Sequence, residues 1–253
     1  MTSPDKPKPA PVTAVVLGGG EDALARASGV AAKALVPLAG KPMGAHVLEA
    51  LRCSHQVGHV VYVGPNGGLD GYYDAHVPAG DSLADSLALG LGAALAHMPD
   101  ASGRLLALTA DVPWLTARAI DTFATQSASV DLVYPVIPAA VSEAQFPAQQ
   151  RTYVKVRDGR FTGGNMVLLT PAGVPPLLRF MDRLYRGRKN PLALAAIFGM
   201  DVVAKLLVGR VSIAELEHRA ASILGISVSA FISEDASLGA DVDKPEHLNG
   251  TDL

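Results

Sequence analysis

The stretch from Val15 to Met43, VVLGGGEDALARASGVAAKALVPLAGKPM, decides how this chain is read. An apolar β-type run stops at three glycines, a polar loop follows, and Lys33 returns just ahead of Ala-Leu-Val-Pro-Leu-Ala-Gly-Lys-Pro. Glycines at a strand end let backbone N–H groups approach an anion closely, because no Cβ stands in the way. A lysine brought back to the same loop neutralises a phosphate as a point charge. The segment reads as a phosphate cradle closed by Lys33. The bland alternative is a tight turn beside a solvated lysine, and the rest of the chain has to decide between them.

Outward from this loop the pattern alternates strand and helix. Strands are predicted at Val12–Leu17, His59–Gly64, Arg104–Thr109 and Asp131–Val136, with helices at Gly44–Cys53, Ser82–His97 and Thr116–Gln126. Thr116 is placed as a helix N-cap. Continuous apolar strands separated by helices predict a largely parallel sheet covered on both faces. Beyond Pro147 the style changes. Arg151–Arg157 and Asn165–Thr170 read as strands flanking the turn Asp158-Gly159, and Pro171–Leu224 reads as helix, broken at Lys189-Asn190-Pro191 and Gly199. A last strand, Val228–Ser233, leads into Gly239-Ala-Asp-Val-Asp-Lys-Pro-Glu-His-Leu. The expectation is a single α/β domain over 12–253, with a helical elaboration in its C-terminal half and 1–11 as a disordered lead-in.

Bulk properties narrow the function classes. The chain has 253 residues, 49% of them apolar, and a formal net charge of −3. No run approaches the ~20 apolar residues of a membrane span, and the first residues lack the apolar core of a secretory signal. The charge and the scarcity of aromatics argue against a nucleic-acid surface. The single Cys53 has no internal disulfide partner and reads as a buried structural thiol. A reduced, cytoplasmic enzyme is expected, as a monomer or homodimer without nucleic-acid or membrane partners.

Ligands of open α/β sheets bind outside the carboxyl ends of the strands. Three features should meet there: the loop Gly18–Lys33, the loop after the third strand, and the C-terminal acidic segment. The second begins Thr109-Ala-Asp111-Val-Pro113, and a carboxylate right after a buried strand suits a hard divalent cation. A helix cap is the bland reading of Asp111. Asp241 and Asp243 alternate about Val242, so an extended segment points both the same way.

With these residues in hand, the chain resembles the sugar-phosphate and cofactor nucleotidyltransferase superfamily. Within it, the chain is similar to the molybdenum cofactor guanylyltransferase-like NTP transferases. The matching residues are Gly18-Gly19-Gly20, Lys33 with Leu35 and Gly40-Lys41-Pro42, Gly80 with Ser86 and Gly90-Leu91, Asp111-Val-Pro113, and Asp241-Val-Asp243-Lys-Pro-Glu246. The resemblance implies a Rossmann-like, glycosyltransferase-A type sheet, dependence on Mg²⁺, and transfer of a nucleoside monophosphate from an NTP to a small phosphorylated or cofactor-like acceptor with release of pyrophosphate. GTP is the donor associated with the family; the residues themselves do not fix the base. By the same resemblance, Leu17, Gly18, Gly19, Gly20 and Lys33 would bind the nucleotide phosphates. Gly80 and Ser86 would contact the base. Asp111 would hold Mg²⁺, with Asp243 and then Asp241 as further ligands, and Asn165 would contact the acceptor. Lys33 and Asp111 are the candidate catalytic residues.

One departure bears on donor binding. Relatives follow the glycine loop with a Thr/Ser-Arg pair, whereas this chain has Glu21 and Asp22, with Arg26 as a substitute if its segment is helical. Two carboxylates near a polyphosphate repel it unless a cation intervenes, so a non-catalytic nucleotide sensor on the same fold is the first competing reading. The second is a dinucleotide-dependent oxidoreductase, because Gly18-Gly-Gly20-Glu-Asp-Ala23 formally fits G-x-G-x-x-A. Against it, the next strand begins far downstream and ends in Val63-Gly64-Pro65 without a ribose-binding acid. Arg179, Arg183, Arg186, Arg188 and Lys189 read as a solvated basic helix face. The histidines show no metal-binding spacing.

Overall fold

A computed structural model describes residues 12–20, 22–98, 103–125, 130–187 and 197–244. The N-terminal lead-in, Glu21, Glu246, Arg188 and Lys189 lie outside the described residues, as does the predicted break at Lys189-Asn190-Pro191.

Strand β1 (Val12–Leu17) is apolar because both of its faces are covered. Ala14 and Val16 pack into one core with helices α2 (Met43–Cys53) and α4 (Ala117–Ala124). Val15 packs into a second core with α3 (Leu83–Ala96) and α6 (Val174–Gly187). The flanking strands β4 (Val57–Val63) and β6 (Leu105–Thr109) divide their side chains the same way: Tyr62, Leu106 and Leu108 to the first core, Val61, Val63, Leu105 and Ala107 to the second. This is the period-2 logic of a strand buried on both sides.

The sheet runs β5 (Ala75–Val77), β4, β1, β6, β10 (Met166–Leu169), β7 (Leu132–Pro138), with β11 (Val228–Ile232) parallel to β7. Strand β9 (Gly159–Gly163) continues the line of β10 along the far half of β7, and β8 (Val154–Val156) pairs with β9. Among the described residues, only β9 and β10 oppose the common strand direction, through antiparallel pairing with β6 and β7. The sheet is therefore mostly parallel, with helices packed on both faces. A small hairpin, β2 (Pro37–Leu38) with β3 (Lys41–Pro42), stands apart.

The helical elaboration is present as α6, α7 (Met200–Leu207) and α8 (Ile213–Leu224). Helix α8 is closed at one end by a Ser212/Glu215 capping box and at the other by Gly225 at φ +71°. Gly199, at φ +87°, precedes α7, as the sequence break there requires. Among the described residues no helix is long and apolar enough to cross a membrane.

Three expectations need correction. The turn at Asp158-Gly159 exists, but its outgoing strand is β9, and β10 is a separate strand beyond a bend at Gly164-Asn165. At Gly163 a Cβ would lie 2.3 Å from the Tyr134 hydroxyl oxygen, so any larger residue would have to displace that ring. The incoming strand is shorter than predicted, since residues 151–153 carry no strand structure. Cys53 is exposed rather than buried, because it ends α2 two positions past the inward-facing Leu51. Short elements went unread: helices α1 (Ala23–Ala27) and α5 (Ala139–Gln145), the strand β5 and the β2/β3 hairpin carry too few apolar residues to show a period.

Candidate active site

The register brings the glycine loop to the sheet edge. Leu17 pairs with both Val63 and Thr109, so β1, β4 and β6 end together. The Gly18 amide donates to the Val63 carbonyl at 2.8 Å, and the Ala110 amide to the Leu17 carbonyl at 3.0 Å. A Cβ on Gly18 would lie 2.3 Å from the Tyr62 hydroxyl oxygen, and one on Gly19 would lie 2.6 Å from the Ala79 Cβ. Packing against the layer beneath therefore requires those two glycines. Gly20 differs: its φ is +117° and the space around it is open. Tyr62 is the floor of the loop, fully buried, stacked near Tyr73 and His76, with its hydroxyl donating to the Pro65 carbonyl at 3.0 Å. Burial pushes its phenol well above the usual tyrosine range, so it is a neutral support.

Gly64 controls this support. It sits at φ +147°, and a Cβ there would come within 2.7 Å of the Gly18 and Gly19 backbones. Backbone cannot yield as a side chain does, so Gly64→Ala is expected to cost about 2–3 kcal/mol. In a chain of this size that lowers Tm by roughly 4–10 °C and displaces the loop. A melting curve within about 2 °C of the native protein would refute the account.

Charge converges on the floor of the cleft. Lys33 opens a 3-10 turn, Lys33–Leu35, whose Ala34 is buried. Its Nζ lies 2.8 Å from Asp111 Oδ2, 2.6 Å from Asp243 Oδ1 and 3.9 Å from Asp22 Oδ2. Burial opposes the Lys33 charge, but Asp111 and then Asp243 outweigh it and hold its pKa above the ordinary lysine value. Asp111, Asp241 and Asp243 each offer an oxygen within 4.8 Å of the others. Val242 between them is fully buried, and its amide donates to the Asp111 carbonyl at 2.9 Å. The two aspartates flanking the buried Val242 thus bring their oxygens together beside Asp111. Asp111 is not a helix cap; Thr116 caps α4 instead, accepting from the Ala119 amide at 3.1 Å.

Arg151 escaped the sequence reading. Its Nη1 pairs with Asp241 Oδ1, while Nε and Nη2 each donate at 3.3 Å, to Thr162 Oγ1 and the Gly163 carbonyl. Burial raises the Asp241 pKa; Arg151 opposes this and the Asp243 and Asp111 charges reinforce it, leaving it above the usual carboxylate value. Asp241 is only 21% exposed, so Arg151→Ala strands a largely buried carboxylate and is expected to cost about 3 kcal/mol. Adding Asp241→Asn should recover part of that loss in chemical denaturation; no recovery would mean the pair is not coupled.

The remaining candidates fall around this centre. Leu17, the three glycines, Lys33 and Asp111 line one cleft of about 240 Å³, together with Asp22, Ala34, Leu83, Thr109 and Ala110. Asn165 stands behind Asp111: its Nδ2 donates to Thr109 Oγ1 at 3.4 Å, and Thr109 Oγ1 donates to Asp111 Oδ1. Antiparallel β10 starts where β6 ends, which is why Asn165 meets Thr109. Thr109, two residues before Asp111, could have been found from the same alternation rule. Gly80 and Ser86 are joined to each other, the Gly80 amide donating to Ser86 Oγ at 3.0 Å, and they reach the glycine loop through Ala79. Asp22 caps α1, accepting from the Ala25 amide at 2.7 Å. The segment of Arg26 is helical, but Arg26 is exposed and does not line the cleft. Arg179 and Arg183 are exposed on α6, as a solvated face requires; the side chain of Arg186 lies outside the described residues.

The match of this mostly parallel sheet to an NTP transferase family model makes the chain a nucleotidyltransferase. Residues 14–195 match the MobA-like NTP transferase domain, and the chain belongs to that family. Asp241 and Asp243 lie beyond the matched residues. Among solved structures, the chain is similar to a hypothetical transferase from Thermus thermophilus, at 41% identity and TM-score 0.85, covering 94% of this chain and 99% of that one. It is also similar to a CMP:2-keto-3-deoxy-manno-octonic acid synthetase complexed with CTP, at 15% identity and TM-score 0.59, covering 94% and 95%. A 2-C-methyl-D-erythritol 4-phosphate cytidylyltransferase from Thermus thermophilus matches at 14% identity and TM-score 0.53, again covering 94% and 95%. At these last two identities the likeness shows the fold alone. No curated protein sequence matches the chain. Family membership sets aside the oxidoreductase reading.

Proposed function

We propose that the protein transfers a nucleoside monophosphate from an NTP to a small phosphorylated or cofactor-like acceptor, releasing pyrophosphate, with Mg²⁺ held by Asp111 and Asp243. The observation that carries this is the convergence of Lys33, Asp111 and Asp243 beside the open Gly20 backbone. The donor set suits a hard cation, being carboxylate oxygens only. Among the described residues, Asp22, Asp111 and Asp243 gather on Lys33, and Asp241 on Arg151, which concentrates carboxylate oxygens where a hard cation would be held.

In this reading the glycine loop, through the open Gly20, and Lys33 would receive the triphosphate, and Gly80 and Ser86 would contact the base. Thr109 and Asn165 hold Asp111 in place, and Asn165 is the candidate nearest an acceptor. A bound Mg²⁺ would draw charge from the α-phosphate and the departing pyrophosphate. No protein nucleophile is needed, since in-line attack at phosphorus is promoted by positioning and charge stabilisation. Asp22 spends one oxygen on capping α1, which reduces its repulsion of the donor. A cytoplasmic setting fits the chemistry.

The test is pyrophosphate release with each of the four NTPs, GTP and CTP foremost, with Mg²⁺ and a panel of sugar phosphates, polyol phosphates, phospholactate and molybdopterin. Metal-dependent release with one donor–acceptor pair is the expected result. Asp22 in the cleft favours one rival, a nucleotide sensor. Tight NTP binding without turnover on any acceptor would decide for it.

A further inference from the structure

We propose that Lys33 is an internal counter-cation that reserves the Asp111–Asp243 pair for a metal ion arriving with a polyphosphate, and excludes the bare ion. The inference rests on the reading above, in which those two carboxylates bind the metal.

The Lys33 ammonium donates to one oxygen of each carboxylate, at 2.8 and 2.6 Å, with Asp22 as a third acid at 3.9 Å. A divalent ion would need those oxygens at roughly 2.1 Å. The ammonium and the ion would then be neighbours of like charge sharing the same lone pairs. Asp111 has little else to offer, because its other oxygen already accepts from Thr109. A metal that takes the two oxygens Lys33 holds therefore requires Lys33 to move. Its side chain is only 15% exposed, so departure into bulk water is not the natural route. The same cleft supplies another destination, since Lys33 lines it together with the glycine loop. The buried Ala34 anchors the lysine backbone while its four-carbon stem can swing. A triphosphate on the loop gives the ammonium a new partner and frees the carboxylates at the same moment. Nucleotide and metal sites are then positively coupled, and the coupling is reciprocal.

The experiment is titration of the nucleotide-free protein with Mn²⁺, followed by electron paramagnetic resonance of the unbound ion and by calorimetry. Lys33→Met is expected to bind bare Mn²⁺ at least ~10-fold more tightly than the native chain, by removing a direct competitor of like charge. Lys33→Gln should do the same, and serves if the methionine variant folds poorly. Lys33→Arg should stay near native. Lys155→Met, which removes an exposed positive charge on β8, should change nothing and so controls for net charge. Asp111→Asn added to Lys33→Met should cancel the gain. Bare-metal affinity in Lys33→Met and Lys33→Gln no tighter than native overturns the exchange. If the native protein then still holds Mn²⁺ through Asp111 when loaded with a non-hydrolysable NTP, only the exchange has failed. If nucleotide-loaded native protein and Asp111→Asn hold the ion equally, the metal assignment falls and the exchange falls with it.

Discussion

Asp111→Ala is expected to abolish metal-dependent turnover while leaving the fold intact. Asp111 ties three parts of the candidate centre together. One oxygen meets Lys33, the other is held by Thr109, and its backbone carbonyl accepts from Val242 of the C-terminal segment. A metal ion contributes several kcal/mol of charge stabilisation to phosphoryl chemistry. At about 1.4 kcal/mol per tenfold, losing it lowers kcat by ~10³-fold or more. The side chain lines the cleft, and Lys33 keeps Asp243 as a partner when Asp111 is lost, so circular dichroism should stay close to native. Steady-state pyrophosphate release against Mg²⁺ concentration is the measurement. A variant that turns over at the native rate would remove Asp111 from the mechanism.

Lys33→Ala is expected to lower kcat/KM by ~10²-fold, comparable to losing one preorganised transition-state donor. Two effects of opposite sign meet in this variant. The donor phosphates lose a cation, which slows transfer, while Asp111 and Asp243 lose their competitor, which tightens the bare metal. Activity and metal affinity should therefore move in opposite directions. A purely structural lysine would move neither in that way. Measuring rate and Mn²⁺ binding on the same preparation separates the cases, and an unchanged rate would take Lys33 out of donor binding.

Much of this centre could be read before the structure. The β1, β4 and β6 strands show themselves as short runs with no polar face, because both faces are buried. The glycine loop follows from the strand end, and the common aim of Asp241 and Asp243 follows from the two-residue repeat of an extended chain. The bend between β9 and β10 was less legible. Gly163-Gly164-Asn165 looks like a bulge or loop locally, and becomes a strand junction where the Gly164 amide donates to the Pro135 carbonyl and the Asn165 amide to the Leu238 carbonyl. Cys53 was misjudged because one turn of helix C-terminal to Leu51 carries no record of which face the sheet covers.

The sequence by itself determined the alternation of strands and helices, the phosphate-accepting loop, and the residue types able to meet a cation. These rest on local rules: side-chain period, missing Cβ atoms, and a carboxylate at a strand end. Only the tertiary structure decided which charges answer which. Lys33 meets Asp243 across a separation of 210 residues, and Arg151 meets Asp241 across 90. No local signal spans such distances, because these pairings follow from the order of strands in the sheet and from where each loop leaves its edge. The same geometry gave the opening glycines their separate duties, with Gly18 and Gly19 spent on packing over Tyr62 and Ala79 and Gly20 left open to the cleft.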